Sequence, residues 1–313
     1  MKRFLSLFVL IICVFTLSSC KKEQSVTKQT FAFDTVINIT VNEKDKALID
    51  SAFKSCKNYE KIFSRTNSES ELFKLNKKGN TSVSEDILEV LDFSLEMSRL
   101  TDGAFDVTVA PLVALWDIKE RKEPPTPEEV ENTLSFTGYE SISLNPLNLS
   151  GKKIDLGAVA KGYVADKIAE NFRSNGVESA VIDLGGNVIL IGEYTVGIRD
   201  PFDPNEIFAT IKVKDKSAVT SGAYQRYFEY DGKRYHHILD PRTGYPSDSG
   251  VASVTVISPS SMQADALSTS IFILGKDALS ICDNFPDTDA LIIMEDGSIV
   301  TTENFEKKYD LKK

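Results

Sequence analysis

The feature that most constrains this chain is the rhythm of its second half. From residue 140 onward, short apolar-rich segments follow one another at close spacing, and few stretches between them are helical. Residues 179–184, 188–191, 195–199, 208–213 and 251–257 read as strands, and 227–238 and 291–300 as hairpins. The first hairpin carries Asp231-Gly232 at its centre, a pair that accepts the positive φ values of a tight turn. One helix is expected at about 158–175, where Val164, Ile168 and Phe172 recur every four residues, and another at 261–274, ending at Gly275. A further helix runs to about 284. The first half adds a strand in 31–41, alternating from Thr35, and helices at 44–62, 70–77 and 84–101, the last stopped by Gly103. Thr126-Pro127-Glu128-Glu129 combines an N-cap, Pro at N1 and a capping-box Glu. The mixture predicts an α+β fold, mainly antiparallel sheet with packed helices, and one compact domain over 31–313.

The N-terminus belongs to a different physical regime. Lys2 and Arg3 precede an apolar run from Phe4 to Leu17, about 14 residues, too short to span a bilayer and of the length of a secretory signal. Leu17-Ser18-Ser19-Cys20 resembles a lipobox, so residues 1–19 are expected to leave and Cys20 to carry lipid, with 20–30 as a polar tether. Loss of Lys2 and Arg3 leaves 34 basic against 46 acidic residues, a net −12. That balance argues against nucleic-acid binding, which needs clustered cations, and makes the lipid the membrane attachment. The expected localisation is extracytoplasmic, on the periplasmic side or the cell surface. Cys56 and Cys282 are left; so far apart, they form no disulfide framework and show no metal-ligand spacing, and they read as buried free thiols.

Four segments suit chemistry better than plain structure. Residues 154–163 place Asp155 at an expected strand end and Lys161 beside a helix start, where freed N–H groups favour phosphate; the same residues also suit a turn Asp and a solvated Lys. Asp183-Leu184-Gly185-Gly186-Asn187 allows close backbone approach, although it lacks the dinucleotide fingerprint. The only two histidines, His236 and His237, are adjacent near a strand end, so they face opposite ways and at most one enters a site, as a general base. Asp265 and Thr269 are i and i+4 on one helical face; in isolation the pair reads first as a surface Asp with a back-bonding Thr, and otherwise as donors suited to Mg²⁺.

Taken in order, these segments resemble the ApbE family, the FAD:protein FMN transferases. Phe63-Ser64, Ser70-Glu71-Leu72, Leu75-Asn76, Gly103 to Thr108, Ala110 to Val113, Leu115-Trp116 and Thr220-Ser221-Gly222 extend the resemblance over nearly the whole mature chain. It implies a T-fold-like architecture with FAD in a cleft between lobes. It implies Mg²⁺ on Asp265, Thr269 and the Ala158 carbonyl, and FAD contacts from Phe33, Thr66, Ala104, Phe105, Asp106, Asp155, Lys161 and Leu239. Phe33 stands where Met is usual, Thr66 where a Tyr often covers the flavin, and Ser268 where some members carry an acidic residue. The implied reaction is Mg²⁺-dependent transfer of FMN from FAD to a Thr or Ser hydroxyl of an acceptor protein, releasing AMP. His237, or a carboxylate such as Asp265, takes the proton. Implied acceptors are subunits of membrane redox complexes, of the Na⁺-translocating NADH:quinone reductase or Rnf type. Two rival readings use the same site: a Mg²⁺-dependent FAD pyrophosphatase, and a non-catalytic flavin-binding lipoprotein.

Overall fold

The computed structural model describes residues 24–203 and 205–313; the signal segment and Cys20 lie outside them. The helices are α1 (Ala47–Phe63), α2 (Glu71–Lys78), α3 (Glu85–Leu100), α4 (Ala110–Trp116), α5 (Pro127–Leu134), α6 (Ala160–Ser174), α7 (Ser261–Leu274) and α8 (Phe305–Lys308). The strands are β1 (Ser25–Ala32), β2 (Thr35–Asn42), β3 (Ser143–Leu144), β4 (Leu147–Asn148), β5 (Ala180–Leu184), β6 (Asn187–Ile191) and β7 (Glu193–Arg199). They continue with β8 (Ile207–Lys214), β9 (Ser217–Gly222), β10 (Tyr227–Tyr230), β11 (Lys233–His236), β12 (Val251–Ser258), β13 (Asp289–Met294) and β14 (Ile299–Thr301).

Eight strands form one sheet in the order β1-β2-β5-β6-β9-β12-β13-β14, every pairing antiparallel. One face buries Ile37, Ile39, Ile182, Leu184, Val254 and Val256 against α1, α6 and α7, including Val164, Ile168 and Phe172 of the helix stripe. The other face buries Leu190, Ile257, Leu291 and Ile293 under the β7–β8 hairpin and the C-terminal Phe305 and Tyr309. All eight residues of β12 are therefore buried, as expected of a central strand covered on both sides. A smaller cluster of Leu112, Trp116, Val130, Phe228 and Leu239 joins α4, α5 and the β10–β11 hairpin into a second lobe.

Some expectations change. Residues 25–30, assigned to the tether by their polarity, are most of edge strand β1, paired with β2 from Ser25↔Asn42 to Ala32↔Thr35. An edge strand with one solvated face needs few apolar residues, and its Lys28 pairs with Asp50 at 2.7 Å. No strand ends at Asp155: Ile154 is held instead by the Asn76 side chain, which donates to its carbonyl (2.8 Å) and accepts from its amide (2.7 Å). The following helix opens at Ala160, two residues later than expected. The stretch before 284 is 3₁₀ rather than α. Cys56 and Cys282 are buried free thiols whose pKa values burial pushes up to about 12.

Candidate active site

The site begins where the first turns of α6 and α7 cross. A Cβ at Gly162 would lie 2.3 Å from the Ser261 carbonyl oxygen, so only glycine allows this approach. The two helices exchange carboxylates. Asp265 on α7 accepts from the Gly162 amide at 3.1 Å, while Asp166 on α6 accepts from Ser260 Oγ and the Ser261 and Met262 amides at 2.8, 2.8 and 2.9 Å. Each helix N-terminus thus faces a negative charge carried by the other. Burial pushes the Asp166 carboxyl up despite these three donors.

One consequence is a main-chain carbonyl without a protein partner. Because Gly162 N donates to Asp265, the Ala158 carbonyl four residues back accepts no hydrogen bond among the described residues. Asp265, only 4% exposed, has one oxygen, Oδ2, shared between Gly162 N and the Lys161 ammonium at 3.6 Å. Lys161 Nζ also donates to the Gly157 carbonyl at 3.2 Å. A positive charge therefore already bridges a carboxylate and a main-chain carbonyl here. Thr269 lies one turn beyond Asp265, beside Ser221 of β9, at 3.5 Å between hydroxyl oxygens. One carboxylate, one hydroxyl and one orphaned carbonyl are hard donors of the kind Mg²⁺ uses, with waters and phosphate oxygens completing its shell. Among the described residues no group of three or more His, Cys, Asp or Glu could hold a metal, so a cation here depends on this mixed set.

The surroundings of Asp155 come from distant loops. Asp155 accepts from Arg65 Nε at 2.7 Å and from the Gly157 amide at 2.7 Å, and its own amide donates to the Val107 carbonyl. Arg65 was invisible to sequence reasoning, since its partner lies 90 residues away. Thr66 is exposed beside it, 3.5 Å from Ser64 Oγ. Phe33 and Asp34 form the β1–β2 turn with φ of 53° and 59°, the Phe33 amide donating to Glu60 at 2.8 Å. Lys119, bonded to Asp34 at 2.8 Å, holds that carboxyl below its ordinary range, aided by Arg226 and Arg65. Ala104, Phe105 and Asp106 are buried, and both Asp106 oxygens are used internally, by Thr108 and by the Tyr139 amide. That segment can meet a ligand only through its main chain.

The histidines divide as their alternation requires. His236 is structural: Nε2 donates to the Ser247 carbonyl at 3.1 Å, Nδ1 accepts from the Ile238 amide, and the ring packs edge-on to Phe272. His237 Nδ1 lies 3.3 Å from the Arg226 carbonyl, which assigns the proton to Nδ1 and leaves Nε2 as an acceptor without a partner among the described residues. Burial, with Arg226, His236 and Lys161 close by, lowers His237 to about 3, and burial lowers His236 to about 4. Lys161 is thus near enough for His237 to feel its charge. The turn after Leu239 is fixed by Arg242, which grips Asp240 through two bonds of 2.9 and 2.8 Å. The bridge between Leu239 and Pro246 is made by neighbouring residues, so the Leu239 amide and carbonyl remain unpaired among the described residues.

Known proteins place this arrangement in context. A family model described as the ApbE family matches residues 33–292. An FAD:protein FMN transferase of Klebsiella pneumoniae (strain 342) is 36% identical over 268 residues, spanning 82% of this chain and 85% of the relative. One of Treponema pallidum (strain Nichols) is 34% identical, spanning 81% and 78%. Among solved structures, the ApbE protein of Thermotoga maritima matches with a TM-score of 0.82 and 34% identity, over 91% of this chain and 99% of that one. The flavin transferase ApbE of Vibrio cholerae gives 0.79 and 28%, with the same coverage.

Proposed function

The chain belongs to the ApbE family, and on that premise we propose that it is a Mg²⁺-dependent FAD:protein FMN transferase acting on a Thr or Ser hydroxyl of an acceptor protein. The observation that carries this reading is the meeting of Lys161 and Asp265, 3.6 Å apart, on the turn whose Ala158 carbonyl is left free. Asp265, Thr269 and Ala158 would hold the cation. When bound, Mg²⁺ neutralises the diphosphate and improves AMP as a leaving group.

The remaining work falls to side chains of this chain. Lys161 presents a second positive charge to the phosphates. Asp155, oriented by Arg65, and the free amide and carbonyl of Leu239 offer hydrogen bonds to FAD, as does the backbone of Ala104, Phe105 and Asp106. Phe33 and Thr66 line the flavin side. His237 offers Nε2 to the attacking hydroxyl. Its low pKa keeps it neutral at physiological pH, and the negative diphosphate beside it raises its affinity for the proton it takes.

We assign the first nineteen residues to export and Cys20 to lipidation, which puts the enzyme on the extracytoplasmic side of the membrane. The flavin-carrying subunits of membrane redox complexes, of the Na⁺-translocating NADH:quinone reductase or Rnf type, are then its acceptors. Among the described residues no helix is long and apolar enough to cross a membrane. Radiolabelled palmitate should enter the wild-type chain and not Cys20→Ala.

The test of the reaction is mass spectrometry of a candidate acceptor after incubation with FAD and Mg²⁺, which should find FMN added to Thr or Ser. AMP release that is equally fast without acceptor would make the protein a pyrophosphatase instead. FAD left intact for hours with acceptor present would make it a flavin-binding lipoprotein.

A further inference from the structure

Three hydroxyls beside the cation donors form a chain whose direction is fixed by counting protons. Ser268 Oγ donates to the main-chain carbonyl of Asp265 at 3.0 Å, and a carbonyl can only accept. Ser268 has one proton, so the 2.9 Å contact between Ser221 and Ser268 must be made by the Ser221 proton. Ser221 can then only accept from Thr269, so the long contact of 3.5 Å between them is open to the Thr269 proton alone. The order is Thr269 to Ser221 to Ser268 to the Asp265 carbonyl. With its proton drawn toward the sheet, Thr269 keeps both lone pairs for a cation.

The chain is anchored at both ends. Ser221 belongs to β9, held in register by β12 (Ser221↔Val254), and Ser268 is fully buried on α7. A free Thr hydroxyl samples several rotamers that an arriving cation must narrow to one; this one already has its proton directed away. We propose that Ser221 and Ser268 are positioning residues of the cation site, acting through Thr269 to hold its oxygen as an acceptor. The proposal rests on the reading that Asp265 and Thr269 bind the cation. Outer partners that orient a metal ligand are commonly worth as much as a fraction of the ligand itself.

The test is Mn²⁺ affinity of the purified chain, followed by electron paramagnetic resonance without FAD. Ser221→Ala and Ser268→Ala should each weaken Mn²⁺ binding about tenfold. Because they interrupt one chain, the double variant should be no weaker than the weaker single variant. Ser221→Thr, which keeps the hydroxyl, should recover affinity to within about threefold of wild type. Metal-free FAD binding, read by flavin fluorescence, should be unchanged, whereas a general loosening of the fold would move it.

Single variants that bind Mn²⁺ within about twofold of wild type, or a double variant whose loss is the product of the two, overturn the proposal. Asp265→Asn separates this from the reading beneath it. If that variant keeps full affinity, the cation site itself is misassigned; if it loses affinity while Ser221→Ala does not, only the hydroxyl chain fails. Should Ser268→Ala fail to fold by circular dichroism, Ser221→Ala and Ser221→Thr decide the matter.

Discussion

The amide of Gly162 and the carboxylate of Asp265 lie 3.1 Å apart, although 103 residues separate them in sequence. That bond satisfies the amide and leaves the Ala158 carbonyl free, which is why the proposed cation site lies at this helix start. Asp265→Asn keeps an oxygen for Gly162 N but removes the charge. Turnover with saturating FAD should fall about a hundredfold or more, the loss expected when a cation's contribution of several kcal/mol is removed. Metal-free FAD affinity should change little, and stability should drop by only about 1 kcal/mol, the scale of a charge at a helix N-terminus. Unchanged turnover would move the metal elsewhere.

Gly162→Ala sets two effects against each other. Alanine in a helix gains about 1 kcal/mol over glycine. The added Cβ, however, would sit 2.3 Å from a backbone oxygen that no side-chain rotation can remove. Forcing such helices apart costs about 1–3 kcal/mol or more, so the variant should melt lower than wild type. Its Mn²⁺ affinity should fall as well, since Asp265 and Ala158 separate together. A raised melting temperature would show that the crossing is looser than described.

How much of this was legible beforehand depended on how local each signal is. The capping box at Thr126 and Glu129 forms as read, because both partners lie within one turn. Asp231 and Gly232 take φ of 48° and 72° between β10 and β11, as their chemistry requires. Asp265 and Thr269 stand on one face of α7 for the same local reason. Strand β9 (Ser-Ala-Val-Thr-Ser-Gly) carries no local signal: its Thr220 and Ser221 hydroxyls are partnered by Thr255 and Ser268, contacts that no periodicity reveals. Edge strand β1 was hidden by its polarity. The Arg65–Asp155 pair and the Asp166 cap on α7 join segments about ninety residues apart, and nothing in their own neighbourhoods announces them. Glycine in the first turn of α6 was the one sequence anomaly that could have exposed the crossing.

Buried His236 and half-buried His237 make stability depend on pH with a definite sign. His236 falls from 6.5 when unfolded to about 4 when folded. The unfolded chain therefore binds more protons between these values, and stability is full above pH 6.5 and lost as pH falls. At pH 5 the cost for His236, 7% exposed, is about 2 kcal/mol. His237 adds to it with the same sign. Urea denaturation at pH 7 and pH 5 should show this loss, and His236→Gln, which can still donate to the Ser247 carbonyl, should remove a large part of it. An unchanged slope in the variant would exclude His236 as the source.

Lys161 has two charges to serve, the Asp265 carboxylate and, under the proposed function, the diphosphate of FAD. In the structure its ammonium bridges Asp265 Oδ2 at 3.6 Å and the Gly157 carbonyl at 3.2 Å. Under the proposed function, a divalent cation arriving at Asp265 would meet that like charge, and the ammonium would then turn to the diphosphate. Lys161→Met keeps the length of the side chain and removes the charge, so its two effects should have opposite signs. Without FAD, Mn²⁺ should bind more tightly, by roughly tenfold, or about 1.4 kcal/mol, a modest part of what two close charges exchange at a partly solvated site. FAD affinity in the presence of metal should fall, because the phosphates lose a cation. The coupling between the two ligands should therefore shrink, and linkage requires that it shrink equally whichever is titrated first. Calorimetric titrations in both orders measure this directly. Weaker Mn²⁺ binding to the free variant would show instead that the ammonium supports the site rather than guarding it.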